Sequence, residues 1–160
     1  MAHLNSIENV ICRGYSPDDF NEVEKINDST LRVSFSYLYD IYHKKHPDLF
    51  LVAEEKDENK IIAFILVDIN GGEIKQDAAL VYAIGVLEDY RRLGIGTLLI
   101  KEIIKNLKNY SHVKELYLHV QESNTGAYKF YNQLGFKFVK TIKKFYSWGE
   151  NAHQLTLELK

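Results

Sequence analysis

The residues best suited to chemistry lie where a strand gives way to a helix. Val86-Leu87-Glu88-Asp89-Tyr90-Arg91-Arg92-Leu93-Gly94-Ile95-Gly96-Thr97 reads as a strand end, a two-glycine turn and a helix start. The first backbone amides of a helix have no partner inside it, and the macrodipole makes that end favourable for an anion. Glycines at 94 and 96 remove side chains that would keep a diphosphate away, and Arg91 and Arg92 add positive charge beside it. The turn lacks the Gly-Lys-Ser/Thr ending of a nucleoside-triphosphate loop and the third glycine of a dinucleotide fingerprint. On spacing alone it is a diphosphate cradle or an ordinary tight turn.

Other clusters point less clearly to chemistry. His43 and His46 could share a metal ion from one helix face, but no acid or thiol cluster accompanies them, and a solvated helix end beside Lys44 and Lys45 is the expected reading. Lys137, Lys140, Lys143 and Lys144 form a basic run expected to be a wet face, with a ribosome or acidic partner as the sharper alternative. Cys12, the single cysteine, lies in an apolar strand as a packing residue. No metal site is expected.

The elements that must hold the turn can be read from periodicity. Val10 to Tyr15 is a short strand, and Ser16-Pro17-Asp18-Asp19 carries the cap, early proline and acids of a helix running to about Asn27. Phe35, Leu38, Tyr39 and Tyr42 recur at the spacing of an apolar helical face before Pro47. Leu49 to Glu55 and Ile61 to Ile69 are strands joined by a polar hairpin turn, and Ala78 to Leu87 follows a loop around Gly71-Gly72 as a buried strand. Gly96 to Tyr110 is an amphipathic helix, Glu115 to Gln121 a strand, and Ser123 to Leu134 a helix closed by Gly135. Phe136 to Ile142 and Gln154 to Leu159 are final strands. The order β-α-α-β-β-β-α-β-α-β-β predicts an α/β fold with a mixed, mostly antiparallel sheet and about four flanking helices.

Size and composition set the frame. The 160 residues suit one domain over 1–160. Twenty Lys and Arg against 22 Asp and Glu give a net charge of -2, without the basic excess that drives phosphate-backbone binding, so nucleic acid is not expected as a main partner. One cysteine forms no intramolecular disulfide, which fits a reducing, cytoplasmic setting. The longest apolar run, Ile61 to Val67, is far short of the roughly 20 residues of a membrane span. Met1-Ala2-His3-Leu4-Asn5-Ser6 lacks the pattern of an export signal, so no membrane role is expected.

Arg91-Arg92-Leu93-Gly94-Ile95-Gly96 resembles the Arg/Gln-x-x-Gly-x-Gly/Ala signature of the GCN5-related N-acetyltransferases (GNAT), and the element order is similar to theirs from end to end. Tyr117-Leu118-His119-Val120-Gln121-Glu122-Ser123-Asn124, with Ala127 and Phe130-Tyr131-Asn132-Gln133-Leu134-Gly135-Phe136, further resembles protein N-alpha-acetyltransferases of the RimI and NatE types. The resemblance implies acetyl-CoA as cofactor, its pyrophosphate on the amides from Arg91 to Thr97. It implies that Asn124 bonds the pantetheine arm and that the Tyr131 hydroxyl protonates the departing thiolate. A phenol with a pKa near 10 is a credible donor to a thiolate whose acid is about 8.5. Backbone N–H groups from Ile84 through Gly85 to Val86 would bind the thioester carbonyl and then the oxyanion, with Gly85 letting the pantetheine approach.

The acceptor must be a neutral amine, and an α-amine with a pKa of about 7.7–8.0 needs less help than lysine at about 10.4. His119, with an unperturbed pKa near 6.5, suits the proton acceptor. In the NatE-type enzymes its partner is a tyrosine on the neighbouring strand, a position held here by Leu80. Leu80, Tyr82 and Ile84 share one strand face, which makes Tyr82 the substitute. The resemblance also places Tyr146 on the substrate backbone and Leu31-Arg32-Val33 in the other groove wall. Arg32 stands where a proline is common, and Val33 replaces the acid of the type preferring small first residues, which favours a hydrophobic first residue such as Met.

Three functions follow: acetylation of free protein or peptide amino termini in a ternary complex; acetylation of a lysine side chain, polyamine or other small amine; or a catalytically silent acyl-CoA-binding subunit. Protein N-termini, and a ribosome or auxiliary subunit, are the partners implied.

Overall fold

The computed structural model describes residues 7–69 and 76–160; the expected loop around Gly71-Gly72 lies outside the described residues. Among the described residues eleven helices and strands follow one another: β1 (Val10–Gly14), α1 (Phe20–Thr30), α2 (Tyr39–Lys45), β2 (Phe50–Glu55), β3 (Lys60–Ile69), β4 (Ala78–Val86), α3 (Ile95–Leu107), β5 (Glu115–Gln121), α4 (Thr125–Gln133), β6 (Lys137–Ile142) and β7 (Ala152–Glu158). Short 3-10 turns join several of them. The order is the one periodicity predicts. The seven strands run β1-β2-β3-β4-β5-β7-β6 across the sheet. β1–β2, β2–β3, β5–β7 and β6–β7 are antiparallel, and β4–β5 is parallel.

Element ends differ from expectation for local reasons. Ser16 to Asp19 opens a 3-10 turn, and α1 begins at Phe20 and continues to Thr30. The extension is held by the Ser29 and Thr30 hydroxyls, which donate to the Ile26 carbonyl at 3.1 and 2.6 Å. Pro47–Leu49 forms its own 3-10 turn, so β2 starts at Phe50. α4 starts at Thr125 because Asn124 caps it, its Oδ1 accepting from the Ala127 N–H at 3.0 Å. Gly135 at φ +100° turns the chain into β6 as expected.

The chain forms two compact units, residues up to Asp68 with Tyr82–Asn109, and Ile69–Val81 with Tyr110–Lys160. In the first, β3 is buried from Ile61 to Ile69, as a central strand must be. Val23 and Ile26 of α1, Tyr39 of α2, and Phe50, Phe64 and Leu66 of the sheet form its core. Each such side chain stabilises by about 1.5–3 kcal/mol. Tyr15 stacks on Phe50 with centroids 4.2 Å apart and planes within 7°. Arg13 of β1 donates to Asp19 at 2.8 and 2.9 Å and to Glu54 of β2 at 2.9 Å, tying the approach to α1 to the sheet. His43 is half-buried, edge-on to Tyr15 at 5.6 Å, so it is a packed residue and not the solvated helix end expected.

In the second unit, Leu116, Leu118, Tyr131, Phe136, Ala152 and Leu155 are buried. β6 is exposed over Lys137 to Thr141, and Lys137, Lys140, Lys143 and Lys144 are all on the surface, the wet face expected of the run. Among the described residues no helix is long and apolar enough to cross a membrane.

Candidate active site

The turn ahead of α3 has the backbone its sequence suggests. Arg92 adopts φ +65° and Gly94 φ +85°, two left-handed residues that reverse the chain within a few steps. For Gly94 this is cheap; for Arg92 it is a conformation few side chains adopt. Gly94 contributes no side-chain cap, and its carbonyl accepts the first helical bond from the Leu98 N–H at 3.0 Å. The amides of Ile95, Gly96 and Thr97 therefore precede the helical ladder, as an anion site requires. Ile95 is buried and anchors the turn from below, while Arg91, Arg92 and Gly94 are exposed. The Arg91 Nε donates to the Val86 carbonyl at 3.1 Å, fixing the side chain against the strand end. These groups fit a coenzyme A diphosphate.

β4 alternates along its length. Ala79, Val81, Ala83 and Gly85 are buried, and Leu80, Tyr82, Ile84 and Val86 are half-buried on the other face. The parallel register with β5 covers Ala78 to Leu80, so backbone groups of Ile84, Gly85 and Val86 are not consumed by it. The expected reason for Gly85 is corrected. A Cβ there would stand 2.6 Å from Thr30 Oγ1 and 3.1 Å from both Ile26 Cγ2 and Phe64 Cε1, so the missing side chain makes room for α1 and not for a pantetheine.

Tyr82 packs beside Phe35 at 6.3 Å and Tyr42 at 5.8 Å between ring centroids. Leu31 lies against the same core, whereas Arg32 and Val33 face outward. The loop carrying them is held by a residue that sequence reading missed. Asn27 is fully buried, its Nδ2 donating to the Val33 carbonyl at 2.9 Å. Its Oδ1 accepts from the Tyr39 hydroxyl at 3.4 Å.

In the other unit, His119 of β5 faces Gln154 of β7 in register and hydrogen-bonds its side chain. The imidazole stacks on Phe145, centroids 4.4 Å apart and planes 26° apart, with Tyr117 edge-on at 5.8 Å. Burial pulls His119 below the ordinary histidine value; the Gln154 bond opposes this and the nearby Lys140 charge adds to it. The ring is therefore neutral near pH 7, the state of a proton acceptor. Gln154 and Phe145 carry no motif of their own, and only the strand register brings them to His119.

Tyr131 is 7% exposed, between Phe130 and Phe136, and burial raises its hydroxyl well above the usual phenol value. Asn124 spends its Oδ1 on the α4 cap, which leaves the amide nitrogen as the group for a ligand carbonyl. Tyr146 stacks on Trp148 at 4.8 Å and 16°, and burial, with the Glu150 carboxylate, pushes its hydroxyl up to about 12. The Glu150 carboxylate accepts from Trp148 Nε1 at 3.1 Å and from the Ser123 hydroxyl and N–H, which fixes the β6–β7 hairpin to the end of β5.

The first unit carries a strand running into an uncapped two-glycine helix start, and the second carries a histidine lowered by burial and a buried phenol. Residues 13–136 match the acetyltransferase (GNAT) family, and the chain belongs to that family. It is an acyltransferase with acetyl-CoA as its donor. It is 37% identical to the N-alpha-acetyltransferase of Saccharolobus solfataricus over 150 residues, 89% of each chain. It is 36% identical to the N-alpha-acetyltransferase of Sulfurisphaera tokodaii over 149 residues, 88% of each chain. The fold matches the crystal structure of Ard1 from Thermoplasma volcanium with a TM-score of 0.83 and 23% identity, over 95% of this chain and 99% of that one.

Proposed function

We propose that this protein acetylates the free α-amine of protein or peptide amino termini, the whole chain serving as one acetyltransferase domain. The observation that carries this reading is its likeness, over nearly nine-tenths of its length, to two proteins named N-alpha-acetyltransferase. Acetyl-CoA supplies an activated acetyl thioester when bound. The amides of Gly94 to Thr97, with Arg91, Arg92 and Leu93 of the turn, hold its diphosphate, and the Asn124 amide nitrogen donates to its amide arm. Backbone N–H groups at Ile84 to Val86 donate to the carbonyl oxygen, where negative charge gathers during acyl transfer.

His119 takes the proton the amine gives up, because its buried ring stays neutral where an α-amine is partly deprotonated. Tyr82 stands in for the acid–base tyrosine that Leu80 replaces. The buried Tyr131 phenol is a weaker acid than a free one, and it would serve as the hydrogen-bond and proton donor to the departing sulfur. Tyr146 bonds the acceptor backbone, and Leu31, Arg32 and Val33 shape a wall suited to an apolar first residue.

The exposed lysines at 137, 140, 143 and 144 offer a surface for a ribosome or an auxiliary subunit. A reducing cytoplasm suits Cys12, whose thiol burial and the Glu102 charge push up to about 11.

The test is thiol release from acetyl-CoA with a short peptide beginning with Met, run beside the same peptide with its amine blocked. Turnover only on the free peptide is expected, and equal turnover on the blocked one would remove the amino-terminal assignment.

A further inference from the structure

Asn27, in the last turn of α1, has no exposed surface. Asparagine is mostly an exposed residue, and an amide taken out of water is tolerated only where its polar atoms find partners. Here those partners lie beyond the helix. The Asn27 main-chain carbonyl accepts from the Leu31 N–H at 2.8 Å, and its Nδ2 donates to the Val33 carbonyl at 2.9 Å. One residue therefore holds the loop that follows α1 at two points, two residues apart. The Tyr39 hydroxyl of α2 donates to Oδ1 at 3.4 Å, a longer bond that ties the other end of the amide to the helix after the loop.

The direction of the amide is fixed by its partner. A main-chain carbonyl only accepts, so the atom facing Val33 is the nitrogen; turned over, the amide would set two acceptor oxygens against each other. The Val33 carbonyl is thus drawn inward while 41% of Val33 stays exposed. On either side of it, Leu31 and Phe35 pack against the core. The loop is held at 31, 33 and 35 and has one way to present its outer side. An apolar wall selects a side chain by close contact, and attraction between apolar atoms falls away once a gap of 0.5–1 Å or so opens. A wall fixed before binding also avoids the cost of ordering it afterwards.

We propose that Asn27 is a specificity-determining positioning residue, whose side chain holds the Val33 carbonyl inward and so presets Leu31 and Val33 to receive an apolar first residue of the acceptor. This rests on the reading of Leu31, Arg32 and Val33 as the acceptor wall. Asn27 acts through the loop, because a residue with no exposed surface has none to offer a peptide.

The experiment measures kcat/KM of the unchanged protein and of Asn27→Ala on two free-amine peptides that differ only in their first residue, Met or Gly. Glycine has no side chain to meet the wall. The Met peptide should lose about tenfold, the order of one hydrogen bond, chiefly as a raised KM. The Gly peptide and the KM for acetyl-CoA should stay near their original values, so the preference for Met over Gly falls by the same factor. A residue that only supported the fold would lower both peptides alike. Equal losses, an unchanged preference, or an unchanged protein that does not prefer Met to Gly would overturn the proposal. Thermal unfolding of each variant checks folding. Where Asn27→Ala does not fold, Tyr39→Phe decides: it releases the other end of the amide and should lower the preference about threefold, and no change in it counts against Asn27. Turnover confined to a lysine-bearing peptide with a blocked amino terminus removes the amino-terminal reading. Met or Gly placed before that lysine then judges Asn27 by the same ratio.

Discussion

Phe145 lies against the imidazole of His119, ring centroids 4.4 Å apart, although 43% of Phe145 remains exposed. The phenyl ring shields one face of the histidine from water, and removing water from an imidazole favours its neutral form. Phe145→Ala should therefore raise the His119 pKa toward the ordinary 6.5 or so. Gln154→Ala removes a bond that favours the protonated ring and should lower it further, whereas Lys140→Ala removes a neighbouring positive charge and should raise it. Proton NMR titration of His119 in the three variants measures the signs directly, free of the acceptor amine's own titration. Movement of Phe145→Ala and Gln154→Ala in the same direction would contradict the account.

The His119 surroundings also show what the sequence could and could not carry. His119 and its strand are legible because Leu116, Leu118 and Val120 are buried at every second position, with Glu115, His119 and Gln121 half-buried on the other face. Gln154 is not, because its place opposite His119 is a matter of register between strands far apart in the chain. Tyr42 and Asp68 are hidden for the same reason: helical periodicity marks Tyr42 as a core residue, and nothing local says that its hydroxyl meets an acid of β3. The strand-to-helix turn is legible because its geometry resides in consecutive residues, with Gly94 at the left-handed position ahead of α3. The neighbours of Gly85 are not legible in this way, because a missing side chain does not say which group needs the space.

That neighbour is Thr30. A Cβ on residue 85 would lie 2.6 Å from Thr30 Oγ1, a distance nothing tolerates without movement. The Thr30 hydroxyl is meanwhile bonded to the Ile26 carbonyl at 2.6 Å. Gly85→Ala should destabilise the protein by about 1–3 kcal/mol through overpacking. Adding Thr30→Ala should recover part of this, since Ile26 and Phe64 remain 3.1 Å away. Denaturant unfolding of the two singles and the double measures the recovery; strictly additive losses would mean that the strain is released elsewhere.

Asp19 offers a test of stability against pH. Burial alone would raise its pKa, but the bonds from Arg13 and the Ser16 N–H outweigh burial and hold it below the usual value. A carboxylate depressed in the folded state adds stability above its unfolded value of about 3.9, and that stability is lost as pH falls through the folded value. Asp19→Asn should cost about 2 kcal/mol at pH 7, in the range for a hydrogen-bonded charged group. The difference from the unchanged protein should shrink as pH falls below about 3.9. Urea unfolding at neutral and acid pH checks both, and a gap independent of pH would exclude an ionic contribution.

Gly94 tests the turn itself. At φ +85° a side chain adds roughly 1–2 kcal/mol of backbone strain, and the chain can relieve it only by rotating the amides of Ile95 to Thr97 away from their present direction. Those amides are the groups assigned to the diphosphate, so Gly94→Ala should raise the KM for acetyl-CoA about tenfold while leaving the KM for a peptide acceptor near its original value. Gly94→Asn should fall between the two, because asparagine enters the left-handed region at lower cost than alanine. Arg92, already left-handed at φ +65°, supplies the complementary change: Arg92→Gly relaxes the backbone but removes a charge, so its effect on acetyl-CoA should weaken as salt is added, whereas the Gly94→Ala effect should not. Steady-state kinetics across a salt series separate backbone geometry from charge. A Gly94→Ala protein with unchanged KM for acetyl-CoA would show that the turn is only a turn.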